Sequence, residues 1–130
     1  MNRRNARIGL VRCMYSLDFN SDTSELSSVL DDLNLSSKAI DYIENSIKEI
    51  KEHLASIDDE IKIHLKKWTI DRLPKVDLAI LRVAVYEIKH CEDIPVGASI
   101  NEAVDIAKEY STDSSGKFIN GVLSSVLKSI

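Results

Sequence analysis

The sequence predicts an all-α fold of about seven helices, in a single domain covering residues 1–130. Three observations predict it. Apolar residues recur at spacings of three and four along most of the chain. Only four Gly and two Pro interrupt 130 residues, so long helices are permitted. There is no sustained period-two alternation, and Asn120-Gly121 lies inside a helical apolar pattern and does not read as a hairpin turn. A chain of this length buries roughly two-thirds of its unfolded surface on folding. Its 44% apolar and 29% charged residues are ordinary for a globular domain and argue against disorder.

The first helix is expected from about Arg3 to Phe19, with Ile8, Val11 and Tyr15 on one face and Leu10, Met14 and Leu17 widening the stripe. Asn20-Ser21-Asp22 is a break. A short second helix should place Leu26, Val29, Leu30 and Leu33 inward, and Asn34 to Ser37 ends it. Ser36 or Ser37 can cap the next helix by accepting one of its free N–H groups. Ile40, Ile43, Ile47, Ile50, Leu54, Ile57 and Ile61 then follow a heptad seam. That seam fits a long dimerising coiled coil, but Ser56-Ile57-Asp58-Asp59 resembles a helix start. Two helices meeting near residue 56 within a bundle are favoured.

Pro74 marks the start of the next helix, since inside one it would remove a hydrogen bond. Residues 76–88 are apolar nearly all round, as in a helix at the centre of a bundle. The polar exceptions, Asp77, Arg82 and Glu87, must reach solvent, a salt bridge or a partner. Residues 91–97 form a loop. Ser99-Ile100-Asn101-Glu102 reads as a capping box, and Ile100, Ala103, Val104 and Ala107 line an inner face. Ser111 to Gly116 breaks the pattern again, and Ile119, Val122, Leu123, Val126, Leu127 and Ile130 mark the last helix. Gly121 inside that helix costs about 1 kcal/mol relative to Ala, which predicts close approach by another backbone.

The net charge of −4 hides an asymmetry. Arg3, Arg4, Arg7 and Arg12 all precede the first acid, Asp18, so residues 1–17 carry +4 and the rest −8. Charge segregated this way can hold a polyanion locally. Arg3, Arg4 and Arg7 share a helix face and suit bidentate contact with phosphates. Tyr15 and Phe118 could supply flat platforms for unstacked bases, with Lys117 as a neighbouring cation. Lys66, Lys67, Arg72 and Lys75 around Trp68 read as a solvated face.

Catalytic patterns are missing: there is no Walker loop, GxGxxG, HExxH or GxSxG. His53 and His64 lack a third ligand, Asp58-Asp59-Glu60 suits a helix first turn, and adjacent His90 and Cys91 seldom face each other. Cys13 and Cys91 make neither a CxxC pair nor a disulfide framework. No secretory pattern opens the chain and no apolar run approaches about 18 residues, so a cytoplasmic non-enzyme without cofactor or metal is expected.

Four blocks carry a family resemblance: Arg3-Arg4-x-Ala6-Arg7 with Met14-Tyr15; Leu78 to Ile88; Asp93-Ile94-Pro95 with Ile100 to Lys108; and Lys117-Phe118-Ile119-Asn120-Gly121-Val122-Leu123. In this order and spacing the sequence resembles the NusB family of bacterial transcription antitermination factors. The resemblance implies two small packed helical bundles and a role in ribosomal RNA transcription. It implies binding of single-stranded boxA-type RNA together with NusE, a small-subunit ribosomal protein, within the RNA polymerase antitermination complex. It places RNA contacts at Arg3, Arg4, Arg7, Tyr15, Lys117 and Phe118, and contacts with the partner at Asp77, Arg82 and Glu87. Some members form homodimers that cover the RNA face.

The chain departs from the pattern at Arg12, where Gln is usual, at Asn5, which interrupts the arginine run, and at Ser114, where an acid is common. These changes bear on RNA preference and leave the fold expectation intact. Two other functions compete with this reading: a protein-binding adaptor or self-associating dimer using the Ile seam, and an RNA-modifying enzyme. A NusB-like domain also precedes the catalytic domain of some RNA cytosine methyltransferases, but this sequence has no methyl-donor loop.

Overall fold

The computed structural model describes residues 3–19 and 26–130. The expected break at Asn20-Ser21-Asp22 and the inward side chain of Leu26 lie outside the described residues. Seven α-helices are described: α1 (Arg3–Phe19), α2 (Leu26–Leu30), α3 (Ser37–Glu52), α4 (Leu54–Ile63), α5 (Lys75–His90), α6 (Val96–Tyr110) and α7 (Asp113–Lys128). Single 3₁₀ turns at Asp31–Leu33 and Ile70–Arg72 join them, and no strand occurs among the described residues.

The helices pack as two groups, α1–α3 and α4–α7, joined through α5. As its all-round apolar sequence predicted, α5 touches α1, α3, α4, α6 and α7. Ten of its sixteen residues are buried, among them Leu78, Ile80, Leu81, Val83 and Val85. Burying side chains of this size is worth about 1.5–3 kcal/mol each, so α5 is the thermodynamic centre of the fold.

The Ile seam folds inward. Ile43, Ile47, Ile50, Ile57 and Ile61 are all buried within the chain. They are therefore unavailable as a coiled-coil stripe, and only Ile40 stays exposed. The joint between α3 and α4 is His53, three residues before the expected position, and Ser56 Oγ donates to the His53 carbonyl at 2.9 Å and caps nothing. Ser36 caps α3 as expected, its Oγ accepting from the Ala39 N–H at 3.2 Å. Asn34 precedes it in the left-handed region at φ 54°, a conformation Asn tolerates better than most residues.

The expected capping box does not form. Pro95 precedes α6, which starts at Val96, so Ser99 already lies one turn inside the helix. The break before α7 is also shorter than expected: Thr112 caps that helix, its Oγ1 accepting from the Ser115 N–H at 3.0 Å.

Glycines mark where helices cross. A methyl group on Gly9 would lie 2.8 Å from Ile43 Cδ1 and 3.0 Å from Leu30 Cδ2, so α1 meets α2 and α3 closely there. A methyl on Gly116 would lie 2.9 Å from Lys108 Cγ, whose stem crosses from α6 to α7. Gly121, the glycine expected to admit a neighbouring backbone, is exposed, and a methyl there would meet no neighbouring element within 4 Å among the described residues.

Candidate nucleic-acid interface

Helices α1 and α6 both pack on α5, and long side chains bridge them. Near the start Arg4 forms ion pairs with Glu102 and Asp105 of α6, its Nη2 donating to Asp105 Oδ2 at 3.1 Å. Near the end Arg12 donates to the Tyr110 hydroxyl at 3.2 Å, and its guanidinium lies 5.7 Å over the Tyr110 ring. Arg12 also holds Asp32 at 2.6 Å. The Arg12 guanidinium keeps the Asp32 carboxyl below its usual range.

Between these bridges the helix turns its arginine inward. Arg7 is 7% exposed and Glu87 1%. Arg7 Nε donates to Glu87 Oε1 at 3.0 Å and Oε2 at 2.8 Å. Ser99 Oγ adds a bond to Oε1 at 2.8 Å, so the hydroxyl expected to cap α6 satisfies a buried carboxylate. A buried charge needs its partner and its remaining hydrogen bonds filled, and this triad supplies both.

That geometry bears on two expectations. Arg7 does share a face with Arg3 and Arg4, but one turn further along α5 and the start of α6 cover that face. Its guanidinium is engaged by Glu87 inside the protein. Glu87 is likewise an interior ion-pair partner, 1% exposed.

Of the other expected partner residues, Asp77 is buried and Arg82 is half-buried. Asp77 is 2% exposed, and its Oδ1 has no hydrogen-bond partner among the described residues. Arg82 grips Asp58 with two bonds of 2.9 Å and reaches Asp18 at 3.3 Å. Lys75 pairs with the same Asp18 at 2.9 Å. The Lys75 ammonium, with Arg82, holds the Asp18 carboxyl below the usual carboxylate range. Arg82 therefore pins α4 and the end of α1 to α5.

The remaining expected contacts lie outward. Arg3 is exposed, with no hydrogen bond or ion pair among the described residues. Arg4 keeps 38% of its side chain exposed. Lys117 is exposed, and Phe118 is half-buried against the core on the first turns of α7, which packs along α6. Tyr15 is 38% exposed and borders an apolar groove of about 320 Å³ floored by Ile8, Val11, Val76 and Ile106. Tyr110 stands on its opposite rim, 39% exposed.

Sequence reasoning missed Asp32, Glu102, Asp105 and Tyr110, which hold the arginines. Its only available signal was the three-residue spacing of Glu102 and Asp105, which puts two carboxylates on one helix face. Elsewhere His53 stacks on His90 with ring centroids 4.4 Å apart, and His64 bridges Ser125 and Glu60. No group of three or more His, Cys, Asp or Glu suited to a metal ion occurs among the described residues. No helix among them is long and apolar enough to cross a membrane. Burial pushes the Cys13 thiol up to about 11.

The profile described as "NusB family" matches residues 4–128. The chain is 42% identical over 131 residues to the transcription antitermination protein NusB of Methylacidiphilum infernorum, covering 98% of this chain and 92% of that protein. It is 39% identical over 127 residues to the NusB of Oceanobacillus iheyensis, covering 98% and 99%. Among solved structures, T. maritima NusB superposes with a TM-score of 0.86 at 37% identity, covering 98% of this chain and 92% of that one. A chain from the complex of antitermination factors NusB and NusE with double-stranded RNA superposes with a TM-score of 0.87 at 30% identity, covering 98% and 97%.

Proposed function

The chain belongs to the NusB family, and on that premise we propose that it is a transcription antitermination factor whose α1–α6 face holds boxA-type single-stranded RNA together with NusE. The observation that carries this reading is the outward pair Arg3 and Arg4 at the start of α1, with Arg4 reaching across to α6, the helix along which α7 packs with Lys117 and Phe118 in its first turns. Guanidiniums suit phosphates, and the half-open rings of Tyr15 and Phe118 suit unstacked bases. In this role the protein works in the cytoplasm by binding alone, as part of an RNA polymerase complex that transcribes ribosomal RNA.

Arg7, Glu87 and Arg82 serve this face indirectly. They fix α1 on α5 and so hold the first turn of α1 against α6. The test is binding of a boxA-type single-stranded RNA, with and without NusE, across a salt series. Replacing Arg3 and Arg4 with Ala should weaken binding and flatten the salt slope by about 0.7 for each phosphate no longer neutralised. Circular dichroism should be unchanged, since both side chains lie at the surface. Binding equal to wild type in the double variant would refute the assignment.

A further inference from the structure

We propose that Arg12 is a further phosphate contact of this face, and that Asp32, Glu102 and Asp105 are internal counterions which the RNA displaces from Arg12 and Arg4. The inference rests on the RNA-binding reading above. Arg4 and Arg12 lie eight residues apart on α1, about 12 Å along the axis. Both reach across to α6, so their guanidiniums bridge the same pair of helices. Both remain partly open, with 38% and 26% of the side chain exposed.

Two of their partners are open as well, with 69% of the Asp32 side chain and 53% of the Asp105 side chain exposed, whereas Glu102 is part-buried at 25%. An exposed ion pair is weak and exchanges readily, in contrast to the buried Arg7–Glu87 pair. A phosphate approaching either guanidinium therefore competes with a carboxylate and not with solvent alone. Arg12 also lies over the half-exposed ring of Tyr110. That stacking keeps the guanidinium plane in place when Asp32 lets go.

The exchange has a measurable signature. A phosphate bound by a free guanidinium releases condensed cations from the RNA. When the guanidinium leaves a carboxylate to bind it, that carboxylate takes up a cation and cancels part of the release. The salt slope of the wild-type protein is then shallower than the number of phosphates it binds. Neutralising the carboxylates should raise affinity and steepen the slope together.

The experiment measures binding of a short boxA-type single-stranded RNA, with NusE present, across a salt series. The variants are Asp32→Asn, Glu102→Gln with Asp105→Asn, and the same substitutions combined with Arg12→Ala or Arg4→Ala respectively. Each neutralised site should tighten binding roughly two- to fivefold at low salt, the range of an exposed ion pair. It should also steepen the slope by up to about 0.7. Both gains should vanish when the matching arginine is removed. Unchanged or weakened binding would overturn the proposal, because the carboxylates would then merely position the arginines. Gains that survive removal of the arginine would overturn it too, by showing general charge repulsion. A wild-type protein that binds no RNA even with NusE sinks the underlying reading first, which separates the two failures.

Discussion

One helix carries two arginines a single turn apart with opposite fates. Arg4 pairs with Glu102 and Asp105 at the surface, while Arg7 pairs with Glu87 in the core. Side-chain chemistry and helix face are the same in both cases, and only depth differs. Depth decides what the charge does. In the exchange proposed above, a guanidinium left 38% open trades its carboxylate for a phosphate. One left 8% open cannot leave without stranding a bare carboxylate in a low dielectric.

The largest effect is expected where this contrast is broken from the inside. Arg7→Ala should destabilise the fold by about 3–5 kcal/mol, because it leaves Glu87 unpaired among Ile80, Val83 and Ala84. Arg7→Met combined with Glu87→Leu should recover much of that stability, since similar volume replaces both charges together. Denaturant unfolding measures both variants. A destabilisation below about 1 kcal/mol for Arg7→Ala would mean that water reaches the pair and that the two arginines are not different in kind.

The same contrast explains what the sequence revealed and what it hid. Helix periodicity located α1, α5 and the Ser36 cap because those signals are local. It also placed α5 at the centre, since an all-round apolar helix has nowhere else to go. Depth is a tertiary property. Arg3, Arg4 and Arg7 look equivalent in sequence, and nothing local shows that α5 and Ser99 cover the third of them. Ser99 and Glu102 form a plausible capping box on paper, but Pro95 starts the helix a turn earlier and frees both side chains for long-range partners. The departure at Arg12 was visible in sequence. Its pairing with Asp32 and Tyr110, twenty and ninety-eight residues away, was not.

Glycines repeat the comparison at smaller scale. Gly9 is buried where α1 crosses α3, and its missing methyl makes room for Ile43 Cδ1. Ile43 is itself 1% exposed, so it has little space into which to retreat. Overpacking of this kind costs about 1–3 kcal/mol, and better helix propensity returns about 1 kcal/mol of it. Gly9→Ala should therefore destabilise by about 1 kcal/mol, read as a lower midpoint at unchanged denaturant slope. A stabilised variant would show that the crossing has slack and that Gly9 is incidental.

Gly121 is the outward counterpart, and its expected effect is the smallest and of opposite sign. It sits within α7 with open space where a methyl would go, so Ala adds no clash. Removing the backbone freedom of glycine from a helix interior should stabilise the fold by about 0.5–1 kcal/mol. The sequence suggested that this glycine admits a neighbouring backbone, but among the described residues none arrives. Measuring Gly121→Ala for both thermal stability and RNA binding separates what remains. A higher midpoint with unchanged binding would make the glycine neutral to function. A higher midpoint with weaker binding would mean that the close approach is made by the ligand, and the site would then extend one turn past Phe118.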